Sequence, residues 1–157
     1  SFHGVTLSLE ETEPTARLLE DVLGLRPLGG EKDRLRFGFG QSPGVIDLVP
    51  TTERTRRGAG TVHHIAFRAA DEAEQLLWQD RVMSAGIPVT EIKDRQYFKS
   101  IYFREPGGVL FEIATDPPGF TADEPLERLG ETLKLPAWLE GRRAAIENRL
   151  PDLGVRS

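Results

Sequence analysis

The stretch 62-VHHIAF-67 decides the fold, because its pattern already occurs near the start of the chain as 2-FHGVTLSL-9. In both stretches apolar residues alternate with other residues, which is typical of a half-buried β-strand. Each is followed by a helical pattern that ends at a glycine, Gly24 in the first case and Gly86 in the second. The sequence therefore predicts one structural unit that occurs twice, about 60 residues apart.

Further strand patterns complete each unit. The helical pattern of 71–86 starts with Asp71 and Glu74 at the spacing of a capping box. After the helices, alternating or continuous apolar runs predict the strands 34–39 and 45–49, with a further candidate at 26–28, and the strands 100–103 and 109–114. We expect each helix to cover the outer face of its sheet and the two sheets to form a cup.

These patterns divide the chain into four segments of an α+β fold. A polar stretch with glycines separates the two units, and after Thr115 the strand pattern stops. Residues 136–150 look like a terminal amphipathic helix. The predicted segments are a first βαβββ module at 1–50, a linker at 51–60, a second βαβββ module at 61–115 and a C-terminal helical tail at 116–157.

Composition excludes several classes of function. With 157 residues, 38% hydrophobic and 29% charged, the chain can bury the core of a soluble protein. A net charge of −5 gives no electrostatic support for nucleic-acid binding, and no apolar run approaches the roughly 20 residues of a membrane-spanning helix. The chain has no cysteine, which fits a cytoplasmic location. A metal ion would therefore need His, Asp, Glu or water as its ligands.

The alternation of residues in the second unit brings one histidine and one glutamate together. Because Ile65 and Phe67 face the helix-covered core, His64 must face the concave side of the sheet. The same argument in strand 109–114 turns Glu112 to that side. The predicted core residues of these two strands are Ile65, Phe67, Phe111 and Ile113. His64 and Glu112 are suitable ligands for a divalent iron, manganese or zinc ion, or else part of a polar sheet face that only forms hydrogen bonds.

The strings HHIAFR and GGVLFEIA resemble the vicinal oxygen chelate superfamily of glyoxalases, epimerases, extradiol dioxygenases and bleomycin-resistance proteins. The longer string 93-KDRQYFKSIYFREPGGVLFEIATDPPGF-120, followed by 123-DEPLERLGETLKLPAWLE-140, is similar to the C-terminal half of ring-cleaving dioxygenases that act on hydroquinones. This resemblance implies tandem βαβββ modules and a non-haem Fe(II)-dependent, extradiol-type dioxygenase domain that acts on hydroquinone- or catechol-like aromatics with dioxygen. It also raises the hypothesis that the chain is only the C-terminal half of such an enzyme.

Two other functions are open within the same superfamily. One is a glyoxalase- or epimerase-type metalloenzyme that uses a different metal. The other is a metal-free protein that binds a small molecule, such as a drug, without a reaction. Drug-binding members need no paired His and Glu ligands, whereas the string at 93–140 favours a dioxygenase.

The resemblance also assigns roles to particular residues. It implies Fe(II), or alternatively Mn(II) or Zn(II), bound by His64 and Glu112, with His63, Arg95 and Tyr102 as catalytic residues around substrate and dioxygen. Tyr102 agrees with strand alternation. Simple alternation points His63 away from the cup, so only its place at the strand entrance lets it reach the site, and the alternative is a structural histidine. Arg95 fits an anionic phenolate or, equally, a solvated loop position.

A third protein ligand is missing from the repeated pattern. In the first unit Gly4 aligns with His64, and His3 aligns with His63. The resemblance implies that in the relatives that cleave hydroquinones the third metal ligand is a histidine of an additional N-terminal half. The other candidates are a second subunit, His3 by local distortion, and Asp47, which occupies the place of Glu112 in the repeat but is expected to be a surface carboxylate. We therefore expect a homodimer in which His3 of a second chain could complete the site.

Overall fold

The computed structural model describes residues 3–40, 44–53 and 58–151, whose strands form two separate four-stranded sheets. The first sheet has the order β1-β4-β3-β2 and the second the order β5-β8-β7-β6. The strands of the first sheet are β1 (Gly4–Leu9), β2 (Arg26–Pro27), β3 (Leu35–Gly38) and β4 (Val45–Pro50). Those of the second are β5 (Ile65–Ala69), β6 (Lys93–Asp94), β7 (Lys99–Arg104) and β8 (Leu110–Thr115).

The pairing of the strands is the same in both sheets. The first strand of each sheet runs parallel to the last, β1 beside β4 and β5 beside β8, and the remaining neighbours are antiparallel. Thr6 lies opposite Asp47 in the first sheet, and Ala66 lies opposite Glu112 in the second. The predicted duplication and the α+β class are therefore confirmed, and the register makes Asp47 the counterpart of Glu112.

The helix of the first module changes its hydrogen-bond pattern midway. Helix α1 (Glu13–Arg17) has Pro14 in its first turn and continues as a π-helix at Leu18–Val22. The amide of Leu23 donates to the carbonyl of Leu18 at 3.0 Å, which is the wider i to i−5 spacing. Gly24 then takes a φ of +71°, a value that favours glycine, and ends the helix as predicted.

Helix α2 (Glu72–Ser84) begins and ends at the predicted residues or close to them. The side chain of Asp71 accepts a hydrogen bond from the amide of Glu74 at 2.9 Å, which satisfies one of the free amides of the first turn. Gly86 has a φ of +79° and follows the last turn. Both ends of this helix are thus determined by local chemistry that the sequence reveals.

The strand that follows the two adjacent histidines is shorter than predicted. The prediction of a strand from residue 62 is wrong, because β5 begins at Ile65. The parallel ladder starts with Ile65 opposite Phe111, just after the turn that contains Gly107 and Gly108. His63 and His64 therefore precede the strand.

The predicted core residues are only partly buried. Phe111 and Ile113 are buried, with 0% and 2% of their surface exposed. The prediction is wrong for Ile65 and Phe67, which are only half-buried. They line a cavity of about 810 Å³ between the two modules, whose other lining residues include Val5, Leu23, Phe39 and Trp78. Strand alternation identifies the side of the sheet but does not reveal such a gap.

A buried carboxylate joins the two modules. Glu105, 2% exposed, lies in the turn before β8, and its carboxylate accepts a hydrogen bond from the hydroxyl of Thr15 in α1. It also accepts from the amides of Gly107 at 2.9 Å and Val109 at 2.7 Å. These bonds hold the β7–β8 turn against the first module.

The tail is a series of short helices. Three 3₁₀-helices at Phe120–Ala122, Leu126–Arg128 and Ala137–Arg142 precede the short helix α3 (Arg143–Glu147). The expected single amphipathic helix at 136–150 is therefore divided into a 3₁₀ part and an α part. None of these helices has a buried residue. Because most helices in proteins are stabilised by the packing of a buried face, nothing here favours one continuous helix. Within the described ranges, no helix has the length and apolar character needed to cross a bilayer.

Candidate metal site

His64 and Glu112 lie in contact at the second sheet. The Nε2 atom of His64 lies 2.8 Å from Oε2 of Glu112. The glutamate side chain is almost fully buried, 4% exposed, whereas that of the histidine is 37% exposed. The carboxylate of Glu112 is thus buried, and the imidazole of His64 lies between it and the solvent.

The spacing of these two atoms suits a divalent ion. Two ligand bonds of about 2.1 Å that meet at a right angle place their donor atoms about 3.0 Å apart. The 2.8 Å distance between Nε2 and Oε2 is close to this value. Imidazole and carboxylate are also the donor set of iron centres with two histidines and one carboxylate. The pair therefore fits two neighbouring positions around one metal ion.

Tyr102 and Arg95 extend this pair along the sheet. The Tyr102 hydroxyl donates to Oε1 of Glu112 at 3.0 Å, as expected from their opposite positions in the β7–β8 ladder. The Nε atom of Arg95 donates to the Tyr102 hydroxyl at 3.2 Å, and its guanidinium carbon lies 5.2 Å from the centre of the ring. Arg95 itself is exposed. The structure therefore brings Tyr102 to the predicted ligand Glu112, and Arg95 to Tyr102.

His63 contacts the other side of the His64 ring. The Nδ1 atoms of the two histidines are 2.9 Å apart, and the rings meet edge to face with centroids 5.2 Å apart. Because both residues precede β5, strand alternation does not apply to them, and His63 can turn toward the site. When Nε2 of His64 binds a metal, its proton lies on Nδ1, so that His63 Nδ1 accepts this hydrogen bond.

One further residue of the site is missed by the sequence reasoning. Ser100 is fully buried, and its hydroxyl donates to Oε1 of Glu112. It lies two residues before Tyr102 in β7 and therefore on the same face of the sheet. This spacing of two residues was the available signal, but a small serine in an apolar strand gives little reason to select it.

The corresponding place in the first module is occupied by an ion cluster. Asp47 accepts hydrogen bonds from Arg36 Nε and Nη2, at 2.7 and 2.8 Å, and from Arg34 Nη1 at 2.5 Å. The hydrogen bonds from Arg36 and then Arg34 lower the pKa of Asp47 to about 2, against the effect of burial. Asp47 is 4% exposed, so the expectation of a surface carboxylate is wrong. Both of its oxygens are occupied, and Gly4 stands where a histidine would be required.

The third ligand is not found among the described residues. His3 is exposed, and its carbonyl accepts from the amide of Val45 at 3.0 Å as part of the first sheet. In ranges 3–40, 44–53 and 58–151, no group of three or more His, Cys, Asp or Glu residues has an arrangement that could hold a metal ion. His64 and Glu112 are thus a two-residue set in this chain.

The fold and this site define a known class of proteins. The family model of the glyoxalase/bleomycin resistance protein/dioxygenase superfamily matches residues 2–113. The chain belongs to this superfamily, and its two four-stranded sheets agree with that fold.

Particular relatives within the superfamily are dioxygenases by name. The chain is 50% identical over 157 residues to MhqO of Bacillus subtilis, which is named as a ring-cleaving dioxygenase, covering 99% of the chain and 50% of that protein. It is 39% identical over 160 residues to the chlorohydroquinone/hydroquinone 1,2-dioxygenase of Sphingobium indicum, covering 96% of the chain and 49% of that protein.

A solved structure agrees with these relatives. The crystal structure of a protein from Bacillus subtilis, described as a dioxygenase, superposes with a TM-score of 0.91 at 50% identity, covering 100% of this chain and 51% of that one. The chain therefore spans about half the length of the relatives that it matches.

Proposed function

We propose that this chain is the metal-binding half of a non-haem Fe(II)-dependent dioxygenase that cleaves the ring of hydroquinone- or catechol-like aromatics. The observation that carries the proposal is the contact between His64 and Glu112, 2.8 Å apart and connected to Tyr102 and Arg95. The identity with relatives named as ring-cleaving dioxygenases supports it. Bound Fe(II), or Mn(II) in its place, would supply the path by which electrons pass from the aromatic substrate to dioxygen.

Each side chain of the site has a definite task in this proposal. Glu112 Oε2 and His64 Nε2 hold the metal, and the hydrogen bond to His63 keeps the His64 ring in the required tautomer. His63 lies exposed at the entrance and would accept the proton of a substrate hydroxyl on Nδ1 only after this atom releases its hydrogen bond from His64, because a neutral imidazole has one basic nitrogen. Arg95 offers an exposed guanidinium to the negative charge of a phenolate. The Tyr102 hydroxyl accepts a hydrogen bond from Arg95 and donates its own proton to Glu112.

A third ligand from outside this chain is part of the proposal. Two side chains leave the facial set of three incomplete. The chain's length, about half that of its relatives, supports a histidine from an N-terminal half or from a second subunit. The candidate within this sequence is His3 of a second chain, which would require a homodimer. Sedimentation velocity with and without Fe(II) tests this route: a monomer that keeps its activity in His3→Ala would exclude it.

The activity is tested by oxygen uptake and by the appearance of a ring-opened product. The protein is loaded anaerobically with Fe(II) and then mixed with air-saturated hydroquinone or catechol. His64→Ala and Glu112→Gln should abolish both signals, whereas Glu127→Gln, which removes one exposed carboxylate of the tail, should retain them. Turnover at the wild-type rate in His64→Ala would refute the metal assignment. Binding of hydroquinone without oxygen uptake by any form would instead identify a metal-free binding protein.

A further inference from the structure

The carboxylate of Glu112 has an asymmetric environment. Its Oε1 atom accepts two hydrogen bonds, from the hydroxyls of Ser100 and Tyr102, the latter at 3.0 Å. Its Oε2 atom faces Nε2 of His64. One oxygen is therefore held by the sheet and the other is directed at the position where a metal would bind.

The two oxygens of Glu112 keep these different partners only if the carboxylate group does not rotate. The last torsion of a glutamate side chain is broad and roughly two-fold, so the torsion alone does not distinguish the two oxygens. Ser100 is fully buried and belongs to the same strand as Tyr102, which makes its hydroxyl a donor on a rigid element. Because Ser100 and Tyr102 both bond Oε1, any rotation of the carboxylate breaks two hydrogen bonds.

The first module provides the contrasting case. In its register, Arg36 lies opposite Asp47 as Tyr102 lies opposite Glu112, and Arg34, directly before β3, precedes Arg36 by two residues as Ser100 precedes Tyr102. The two guanidinium groups bond both oxygens of Asp47. Guanidinium groups neutralise that carboxylate and leave neither oxygen free for a metal. Hydroxyl groups in the second module bond one oxygen only and leave the negative charge of Glu112 available to a cation.

From this we propose that Ser100 is a positioning residue that fixes Glu112 as a ligand through Oε2 alone. The inference rests on the proposed metal site at His64 and Glu112. Removal of a hydrogen-bond partner of a metal ligand commonly lowers metal affinity by about 10–100-fold. We expect a loss of this size when the Ser100 hydroxyl is removed, and a larger loss when the Tyr102 hydroxyl is removed as well.

The test is a titration of the apo protein with Zn(II), which binds to imidazole and carboxylate sites more tightly than Fe(II). Isothermal titration calorimetry compares wild type with Ser100→Ala, Ser100→Thr and the double variant Ser100→Ala/Tyr102→Phe. Ser8→Ala, which removes an exposed hydroxyl from β1, is the matched control. Far-UV circular dichroism and the melting temperature of each apo variant establish that it is folded. The visible spectrum of bound Co(II) reports a change in coordination number if the carboxylate rotates to bind through both oxygens.

The expected result is a loss of about 10–100-fold in Zn(II) affinity for Ser100→Ala, recovery in Ser100→Thr and no change in Ser8→Ala. Wild-type affinity and an unchanged Co(II) spectrum in folded Ser100→Ala would overturn the inference. Equal weakness of Ser100→Ala and Ser100→Thr would overturn the assignment to the hydroxyl. His64→Ala separates the two proposals: if it loses Zn(II) while Ser100→Ala does not, only this inference fails. If it binds Zn(II) like wild type, the metal site itself is wrong.

Discussion

Replacing each of the two corresponding carboxylates by its amide should affect folding very differently. Asp47 accepts three hydrogen bonds from two guanidinium groups, at distances of 2.5 to 2.8 Å. Hydrogen bonds to charged groups contribute about 1.5–3 kcal/mol each. The side chains of Arg34 and Arg36 are 42% and 41% exposed, so hydration of the guanidinium groups offsets part of the lost hydrogen-bond energy when Asp47 loses its charge. We expect Asp47→Asn to lower the free energy of unfolding by about 2–3 kcal/mol.

The same change at Glu112 removes a buried charge whose partners in the apo protein are two neutral hydroxyls and the ring of His64, which is 37% exposed. The carboxylate is 3% exposed, and the hydroxyls of Ser100 and Tyr102 donate to it without neutralising it. Burying such a charge is costly, whereas the amide oxygen of a glutamine can still accept both hydrogen bonds. We therefore expect Glu112→Gln to change the free energy of unfolding of the metal-free protein by less than about 1 kcal/mol.

Urea unfolding in the presence of EDTA, followed by circular dichroism, measures both values. The comparison is valid if the variants share the same dependence of unfolding free energy on urea concentration and differ only in the urea concentration at the midpoint. The pH provides a second check, since the pKa of Asp47 is lowered from 3.8 to about 2. Its contribution is present above pH 4 and is lost as the pH falls toward 2, so the gap between wild type and Asp47→Asn should close over that range. A loss in Glu112→Gln as large as that in Asp47→Asn would refute the reasoning.

Two further changes test the packing behind the site. Phe111→Ala removes a fully buried ring that contacts Phe67 and Phe103, with centroids 5.1 and 5.7 Å away, and should cost about 3–5 kcal/mol in urea unfolding; a loss below 1 kcal/mol would contradict its place in the core. Glu105→Gln weakens the bonds that join the modules and should cost about 1–3 kcal/mol. In a double-mutant cycle with Thr15→Val the two losses should not add, and simple additivity would show that the hydroxyl and the carboxylate do not act together.

Much of this architecture follows from interactions between neighbours in the chain. Alternation of apolar residues assigns Glu112 to a face of β8, and the prediction that His64 meets it is confirmed by their 2.8 Å contact although His64 precedes β5. The capping residue Asp71 and the terminal glycines Gly24 and Gly86 give the helix ends, because their effects depend on the adjacent turn alone. A duplicated local pattern could therefore be recognised without knowledge of any contact between the modules.

Other features depend on which residues the fold brings together from distant parts of the chain. The half-burial of Ile65 and Phe67 results from the gap between the modules, and the late start of β5 reflects a parallel ladder that begins only with Ile65 opposite Phe111. The helix predicted at 136–150 divides into a 3₁₀ part and an α part, since none of its residues is buried. The periodicity of apolar residues does not indicate which distant parts of the chain lie next to each other.

The two corresponding carboxylates show this difference most clearly. Asp47 and Glu112 are acidic residues in similar apolar strands, and alternation places both on the same face of their sheets. Their roles differ because the neighbouring antiparallel strand brings Arg34 and Arg36 to one, and Ser100 and Tyr102 to the other. A carboxylate bonded by two cations stabilises the fold, whereas one bonded by two neutral hydroxyls keeps its charge for a ligand. The tertiary structure shows which residues are paired with each carboxylate, and because the register is the same in both sheets, the residue types at the paired positions decide its role.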